Sequence, residues 1–182
     1  MKKLPWLLLS VFCMLAACNQ AQQVTKESSD KKTEPSLSGK IVPPDLYGKE
    51  LVKVEKSEEE WAKELTEQEF FVLRQQGTER AFTGDLWDHK GKGTYVCSGC
   101  SLPLFASETK FKSGTGWPSY YQPIADEYIA REGDDKYGWN RVEVHCARCE
   151  GHLGHVFEDG PAPTGLRFCI NSVSLDFVPT VE

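Results

Sequence analysis

Apolar residues along this chain fall into three textures. Leu4 to Leu15 is a nearly unbroken apolar run behind Met1-Lys2-Lys3. Asn19 to about Pro44 is polar, rich in Gln, Lys, Ser and Thr, and has too few large apolar side chains to offset the entropy of ordering it. Structured patterning begins after it. Ser57-Glu58-Glu59-Glu60 and Thr66-Glu67-Gln68-Glu69 both fit the capping-box pattern, followed by Trp61 and Leu65 in one case and by Phe70 and Leu73 in the other. They predict two short helices forming a flap packed on the domain, the second stopped by Gly77. From Tyr95 onward the texture is short strands between Gly and Pro turns. Strands are expected at 94–97, 141–145, 153–158 and 167–171, with more in 102–106 and 122–129. No internal repeat is visible. The fold class is mainly β, with antiparallel sheets and short N-terminal helices.

The strand that draws the eye is Gly165-Leu166-Arg167-Phe168-Cys169-Ile170-Asn171-Ser172. Leu166, Phe168 and Ile170 alternate with Arg167, Cys169 and Asn171, so one face is apolar and the other carries reactive groups. Past Asn171 the phase flips, with Val173, Leu175 and Phe177 apolar where polar residues are due. The flip predicts a bulge or the strand's end just past Asn171. Arg167, two residues from Cys169 on the same face, is expected to depress the thiol pKa. A half-buried structural cysteine is the alternative.

Composition narrows the setting. The chain has 182 residues and a formal charge of −6, which becomes −8 once Lys2 and Lys3 are removed. No Lys/Arg cluster interleaves with aromatics, so nucleic acid is not an expected partner. Residues 1–17 read as a basic n-region and an apolar h-region too short to span a bilayer comfortably. Leu15-Ala16-Ala17-Cys18 resembles a bacterial lipoprotein signal. That resemblance implies cleavage before Cys18, loss of Cys13, and a lipid on the Cys18 sulfur. Asn19 after the cysteine then favours the outer membrane if the host has one. An ordinary secretory signal with Cys18 as bystander is the alternative. The expected organisation is a signal at 1–17, a lipid-anchored disordered tether at 18–44 and a folded domain at 45–182. A flexible tether of about 26 residues reaches on the order of 28 Å.

Two CxxC motifs, Cys97-Ser98-Gly99-Cys100 and Cys146-Ala147-Arg148-Cys149, frame a subdomain. Each can bite one metal from a tight knuckle. Together they offer four thiolates, a closed tetrahedral set that suits one structural zinc with no open position for catalysis. Two disulfides, or a site of Cys146, Cys149, His152 and His155, remain alternatives.

Gly116-Trp117-Pro118-Ser119, Gly151-His152-Leu153-Gly154-His155, Arg167-Phe168-Cys169 and Asn171, in this order with the CxxC pairs, closely resemble the B-type methionine sulfoxide reductases. The resemblance covers about 66 to 178. It implies two antiparallel sheets clasped by zinc away from the nucleophile, and action on methionine-R-sulfoxide. By similarity Cys169 is the nucleophile and Trp117 lines the pocket for the substrate methyl. His152, His155 and Asn171 surround the sulfoxide oxygen, and Arg167 tunes Cys169.

The residue types suit that chemistry. A sulfoxide oxygen leaves only when protonated, so a thiolate must attack while an acid delivers protons, and His serves near neutral pH. A neutral methyl sulfoxide asks for an aromatic wall rather than an ion pair. The product leaves Cys169 as a sulfenic acid. Many relatives carry a resolving cysteine as Gly-Cys-Gly-Trp-Pro-Ser, but here that position is Thr115. The expected cycle therefore uses one cysteine and an external, thioredoxin-like thiol reductant. A zinc-clasped binding module with an inert Cys169, and a thiol–disulfide oxidoreductase using a CxxC, are the competing readings.

Overall fold

The computed structural model describes residues 51–135 and 140–180; the expected signal, the tether and Cys18 lie outside them. Both predicted helices form where their caps are. Helix α1 runs Glu58–Glu64 and α2 runs Glu67–Gln75. The Ser57 N–H donates to Glu60 Oε2 at 2.8 Å while the Glu60 N–H returns to Ser57 Oγ at 3.3 Å. Thr66 and Glu69 repeat the exchange at 2.8 and 3.2 Å. These bonds satisfy N–H groups that a helix start leaves without partners. The second helix ends one residue before the expected stop: Gln76, at φ 56°, takes the left-handed position, and Gly77 donates back to Phe71 O at 3.0 Å. Trp61 is 1% exposed, with the Arg74 guanidinium 5.3 Å from its ring centre. Among the described residues no helix is long and apolar enough to cross a membrane.

Eight strands follow among the described residues: β1 Gly93–Cys97, β2 Pro103–Ala106, β3 Ser119–Tyr120, β4 Ile129–Asp134, β5 Arg141–Cys146, β6 His152–Phe157, β7 Arg167–Ile170 and β8 Leu175–Pro179. They form two antiparallel sheets, one ordered β2-β1-β8 and the other β3-β7-β6-β5-β4. Between them sits an aromatic core with members from both. Phe105 of β2 stacks on Tyr120 of β3 at 4.3 Å, Tyr95 of β1 meets Tyr120 at 5.1 Å, and Phe168 of β7 meets Phe105 at 5.7 Å. All four are completely buried. Burying side chains of this size is worth about 1.5–3 kcal/mol each, so this cluster is a principal source of adhesion between the sheets.

The expected strand within 122–129 does not form. Pro123 has no N–H to give a ladder, and Asp126–Tyr128 close a 3-10 turn, so β4 starts only at Ile129. The strand expected at 167–171 stops at Ile170, because Asn171 leads into a 3-10 turn at Ser172–Ser174. The phase flip past Asn171 marks the chain leaving the five-stranded sheet for β8 in the three-stranded one.

Candidate active site and metal clasp

Strand pairing lines the chemistry up in a row. Ser119 faces Cys169, Cys169 faces His155, His155 faces Glu143, and Glu143 faces Glu132. Directly opposed residues of an antiparallel sheet point to the same face with Cβ atoms about 5 Å apart. One face of the five-stranded sheet therefore carries a thiol beside an imidazole, while Phe168 and Ile170 turn into the core.

A register break brings in the second histidine. Gly154 faces Val144 and His152 faces His145, so two steps along β6 match one along β5. Strict alternation would put His152 and His155 on opposite faces; with the bulge their rings lie 5.6 Å apart. Each imidazole is held by its own carboxylate, His152 Nδ1 by Glu143 Oε1 at 2.6 Å and His155 Nε2 by Asp134 Oδ2 at 2.8 Å. Such partners fix ring orientation and tautomer. Glu143 is steadied by Gln76 Nε2 and Asp134 by Arg141. Gly154 is required here: a Cβ on it would strike the Cys169 carbonyl oxygen, so the two strands approach closely beside Cys169.

Cys169 is partly buried. Burial pushes its thiol up, and this outweighs the Thr115 hydroxyl and the Arg167 cation, both of which pull it down. The expectation of a depressed thiol is therefore not met. Arg167 is in place, but it forms a two-pronged pair with Asp159, Nε to Oδ1 at 2.8 Å and Nη2 to Oδ2 at 2.9 Å, and that carboxylate offsets much of its field.

Trp117 is half-buried, its Nε1 donating to Glu79 O at 3.2 Å. Asn171 is 3% exposed; its Oδ1 accepts the Glu79 N–H at 3.0 Å and its Nδ2 donates to Leu153 O at 3.0 Å. Sequence reasoning missed Glu79, which links these two residues. Its carboxylate accepts the N–H groups of Ser172 and Val173 at 2.6 and 3.0 Å, capping the turn after Cys169. Burial raises the Glu79 pKa against those bonds. A charged residue just past a helix reads as surface in a sequence, so no local signal distinguishes it.

The four CxxC cysteines converge. Cys97 Sγ lies 3.6 Å from Cys149 Sγ, Cys100 Sγ lies 3.5 Å from Cys146 Sγ, and all four sulfurs are within 4.8 Å of one another. These are not disulfide distances, which are about 2.05 Å. A tetrahedron with metal–sulfur bonds of about 2.3 Å has sulfur–sulfur edges of about 3.8 Å, so the set fits zinc. The knuckles repeat each other bond for bond. Ser101 N–H donates to Cys97 O at 2.7 Å and Glu150 N–H to Cys146 O at 2.9 Å, with Ser101 and Glu150 both left-handed at φ 62° and 61°. Because β1 and β5 belong to different sheets, the cluster ties the sheets together. Hydrogen bonds among the thiols, with Cys100 first, and burial push Cys97 and Cys146 up, while the same hydrogen bonds pull Cys149 down. A divalent cation bound by all four would hold them as thiolates. His152 and His155 bind carboxylates instead, which disfavours the alternative site through them.

Residues 65–179 match the SelR domain. The chain belongs to the SelR-domain family, which makes it an oxidoreductase. Among relatives named peptide methionine sulfoxide reductase MsrB, that of Leptospira interrogans is 56% identical over 125 residues, 69% of this chain and 95% of the relative. That of Methanosarcina barkeri is 60% identical over 124 residues, 68% of this chain and 87% of the relative. That of Thiobacillus denitrificans is 52% identical over 124 residues, 68% and 94% respectively. The SelR match spans both knuckles, the histidine pair and Cys169, so family membership and the geometry concern the same residues.

Proposed function

We propose that the protein reduces methionine-R-sulfoxide, free or in oxidised proteins and peptides, to methionine. The observation that carries this reading is the opposition of Cys169 and His155 on β7 and β6, in a chain of the SelR-domain family. The Cys169 thiolate attacks the sulfoxide sulfur. His155 and His152, oriented by Asp134 and Glu143, supply protons to the oxygen. The Trp117 ring bounds the substrate methyl. Asn171 retains a second amide hydrogen beyond the one given to Leu153, and offers it toward the oxygen. Arg167 lends positive charge to Cys169. The oxygen ends on sulfur: sulfoxide plus thiol become sulfide plus sulfenic acid, with Cys169 oxidised by two electrons and the substrate reduced by two.

Cys97, Cys100, Cys146 and Cys149 hold one structural zinc per chain. Cys146 is three residues along β5 from Glu143, and Cys169 is two strands across, about 10 Å in each direction at ordinary sheet spacings. The metal therefore holds the frame and takes no part in the chemistry.

Among the described residues, Cys169 is the one cysteine outside that cluster, and Thr115 Oγ1 lies 3.8 Å from its sulfur. A hydroxyl cannot form a disulfide, so an external thiol condenses with the sulfenic acid, releasing water, and a second thiol frees Cys169. A thioredoxin-like, membrane-linked protein suits that role. With a signal at 1–17, a lipid on Cys18 and a tether to residue 44, the enzyme is anchored facing the periplasm or cell exterior, at the outer membrane if the host has one. There it repairs oxidised extracytoplasmic proteins. Turnover of the two methionine sulfoxide epimers with dithiothreitol tests the reading: the R epimer is reduced, the S epimer is not, and Cys169→Ser abolishes the activity. A binding module turns over neither.

A further inference from the structure

We propose that Ser119, Ser113 and Thr115 form a directed hydroxyl relay that ends on the Cys169 sulfur and stabilises negative charge there, making Thr115 a positioning residue for the nucleophile. The inference rests on the reading of Cys169 as nucleophile. Ser119 Oγ donates to Ser113 Oγ at 2.7 Å, Ser113 Oγ meets Thr115 Oγ1 at 2.9 Å, and Thr115 Oγ1 meets Cys169 Sγ at 3.8 Å, within reach of an O–H to sulfur bond.

Counting hydrogens sets the direction. A hydroxyl has one hydrogen and two acceptor lone pairs. Ser113 Oγ accepts from the Ser119 hydroxyl and from the Thr115 N–H at 3.3 Å, so both lone pairs are used. Its hydrogen is left to donate to Thr115 Oγ1, and the Thr115 hydrogen then donates to sulfur. Ser119 also lies 3.2 Å from Trp117 O, a longer contact than the one to Ser113. Hydrogen bonds donated in series polarise one another. The first and last members of the relay sit on one strand pair, because Ser119 faces Cys169. It starts from a hydroxyl on a residue 1% exposed and runs through two half-buried ones, so water competes weakly.

The charged groups around Cys169 leave room for such a donor. Arg167 on the same strand shares its charge with Asp159 from the loop after β6, and His155 on β6 has Asp134 of β4 behind it. Each nearby cation or imidazole is thus matched by a carboxylate. The relay adds a neutral donor with no counter-charge. Where a cysteine would serve as an internal resolving thiol, threonine at 115 supplies a hydrogen bond.

The test is the pH dependence of iodoacetamide alkylation at Cys169, read by peptide mass spectrometry on the full-length protein with zinc bound, for wild type, Thr115→Val, Thr115→Ser and Ser113→Ala. Valine keeps the shape of threonine and removes the hydroxyl. Thr115→Val is expected to move the half-maximal pH upward by about one unit, roughly a tenfold lower thiolate fraction near neutrality. Ser113→Ala should move it the same way by less, and Thr115→Ser should restore the wild-type profile. A profile unmoved by both Thr115→Val and Ser113→Ala overturns the relay, as does a serine variant that behaves like valine. Should the valine variant misfold, Ser113→Ala alone decides. Alkylation needs no substrate, so the outcome is separate from the proposed activity: retained methionine-R-sulfoxide reduction in Cys169→Ser would remove that reading whatever the profiles show.

Discussion

His155 and Cys169 are direct cross-strand partners, so the imidazole and the thiol share one face of the sheet with no loop between them. Secondary structure alone sets their separation. A site built on paired strands holds its geometry better than one built on loops. His155→Asn is expected to lower kcat for methionine-R-sulfoxide by roughly 100-fold or more, in the range for losing a general acid, with a smaller change in KM. Steady-state kinetics on the purified variant check this.

The pH behaviour of Cys169 has a definite sign. Burial raises the thiol, Arg167 lowers it and Asp159 raises it. The thiolate fraction, and with it the alkylation rate, should rise with pH and reach half-maximum above the usual thiol value of about 8.5. Asp159→Asn releases Arg167 from its pair and removes a negative charge, so it should shift the profile to lower pH. Arg167→Met should shift it to higher pH. Profiles that move together in one direction would contradict this electrostatic account.

Gly154 tests the closeness of β6 and β7. In Gly154→Ala the new methyl meets the backbone oxygen of Cys169, which has no room to give. A stability loss of about 2 kcal/mol or more is expected, with activity falling and zinc retained. Thermal melts and elemental analysis on the same preparation report both.

Glu79 should behave as a keystone. Glu79→Ala strands the N–H groups of Ser172 and Val173, at a cost of about 1–3 kcal/mol each. It also loosens the backbone to which Trp117 and Asn171 are bonded. Chemical denaturation should show the stability loss, and KM for methionine-R-sulfoxide should rise.

The four-cysteine cluster, with zinc bound, is expected to carry stability. Replacing Cys97 or Cys149 with Ser, or stripping the metal with a chelator, should lower the melting temperature before chemistry is affected. Binding free energy at such a site is also folding free energy, on the order of 10 kcal/mol in small domains. Unchanged thermal stability with zinc retained would count against it.

Local rules carried much of the fold. Ser57 and Thr66 announced both helices because a capping box is satisfied within four residues. The CxxC pairs foretold the cluster because two knuckles together complete a set of four thiolates, although disulfides and a site through His152 and His155 were also open to the sequence. What stayed hidden depended on distant partners. The flip past Asn171 read as a bulge or a strand end, yet nothing local says that Leu175 pairs with Cys97 in the other sheet. Arg167 looked like a bare cation because Asp159 becomes its partner only when the loop folds back. The position of Thr115 marked a missing cysteine, while its hydroxyl's approach to Cys169 needed the loop over the sheet. Glu79 gave no sign, since its partners lie 93 and 94 residues away.

The most direct test of the central claim is a single turnover. Reduced enzyme is treated with one equivalent of methionine-R-sulfoxide and no reductant, then trapped with dimedone and mapped by mass spectrometry. The account expects one methionine formed per chain, the dimedone adduct on Cys169, and no internal disulfide. It also expects Thr115→Cys to replace the adduct with a disulfide between the introduced thiol and Cys169. Methionine formed without modification of Cys169, or an internal Cys169 disulfide in the wild-type protein, would contradict it.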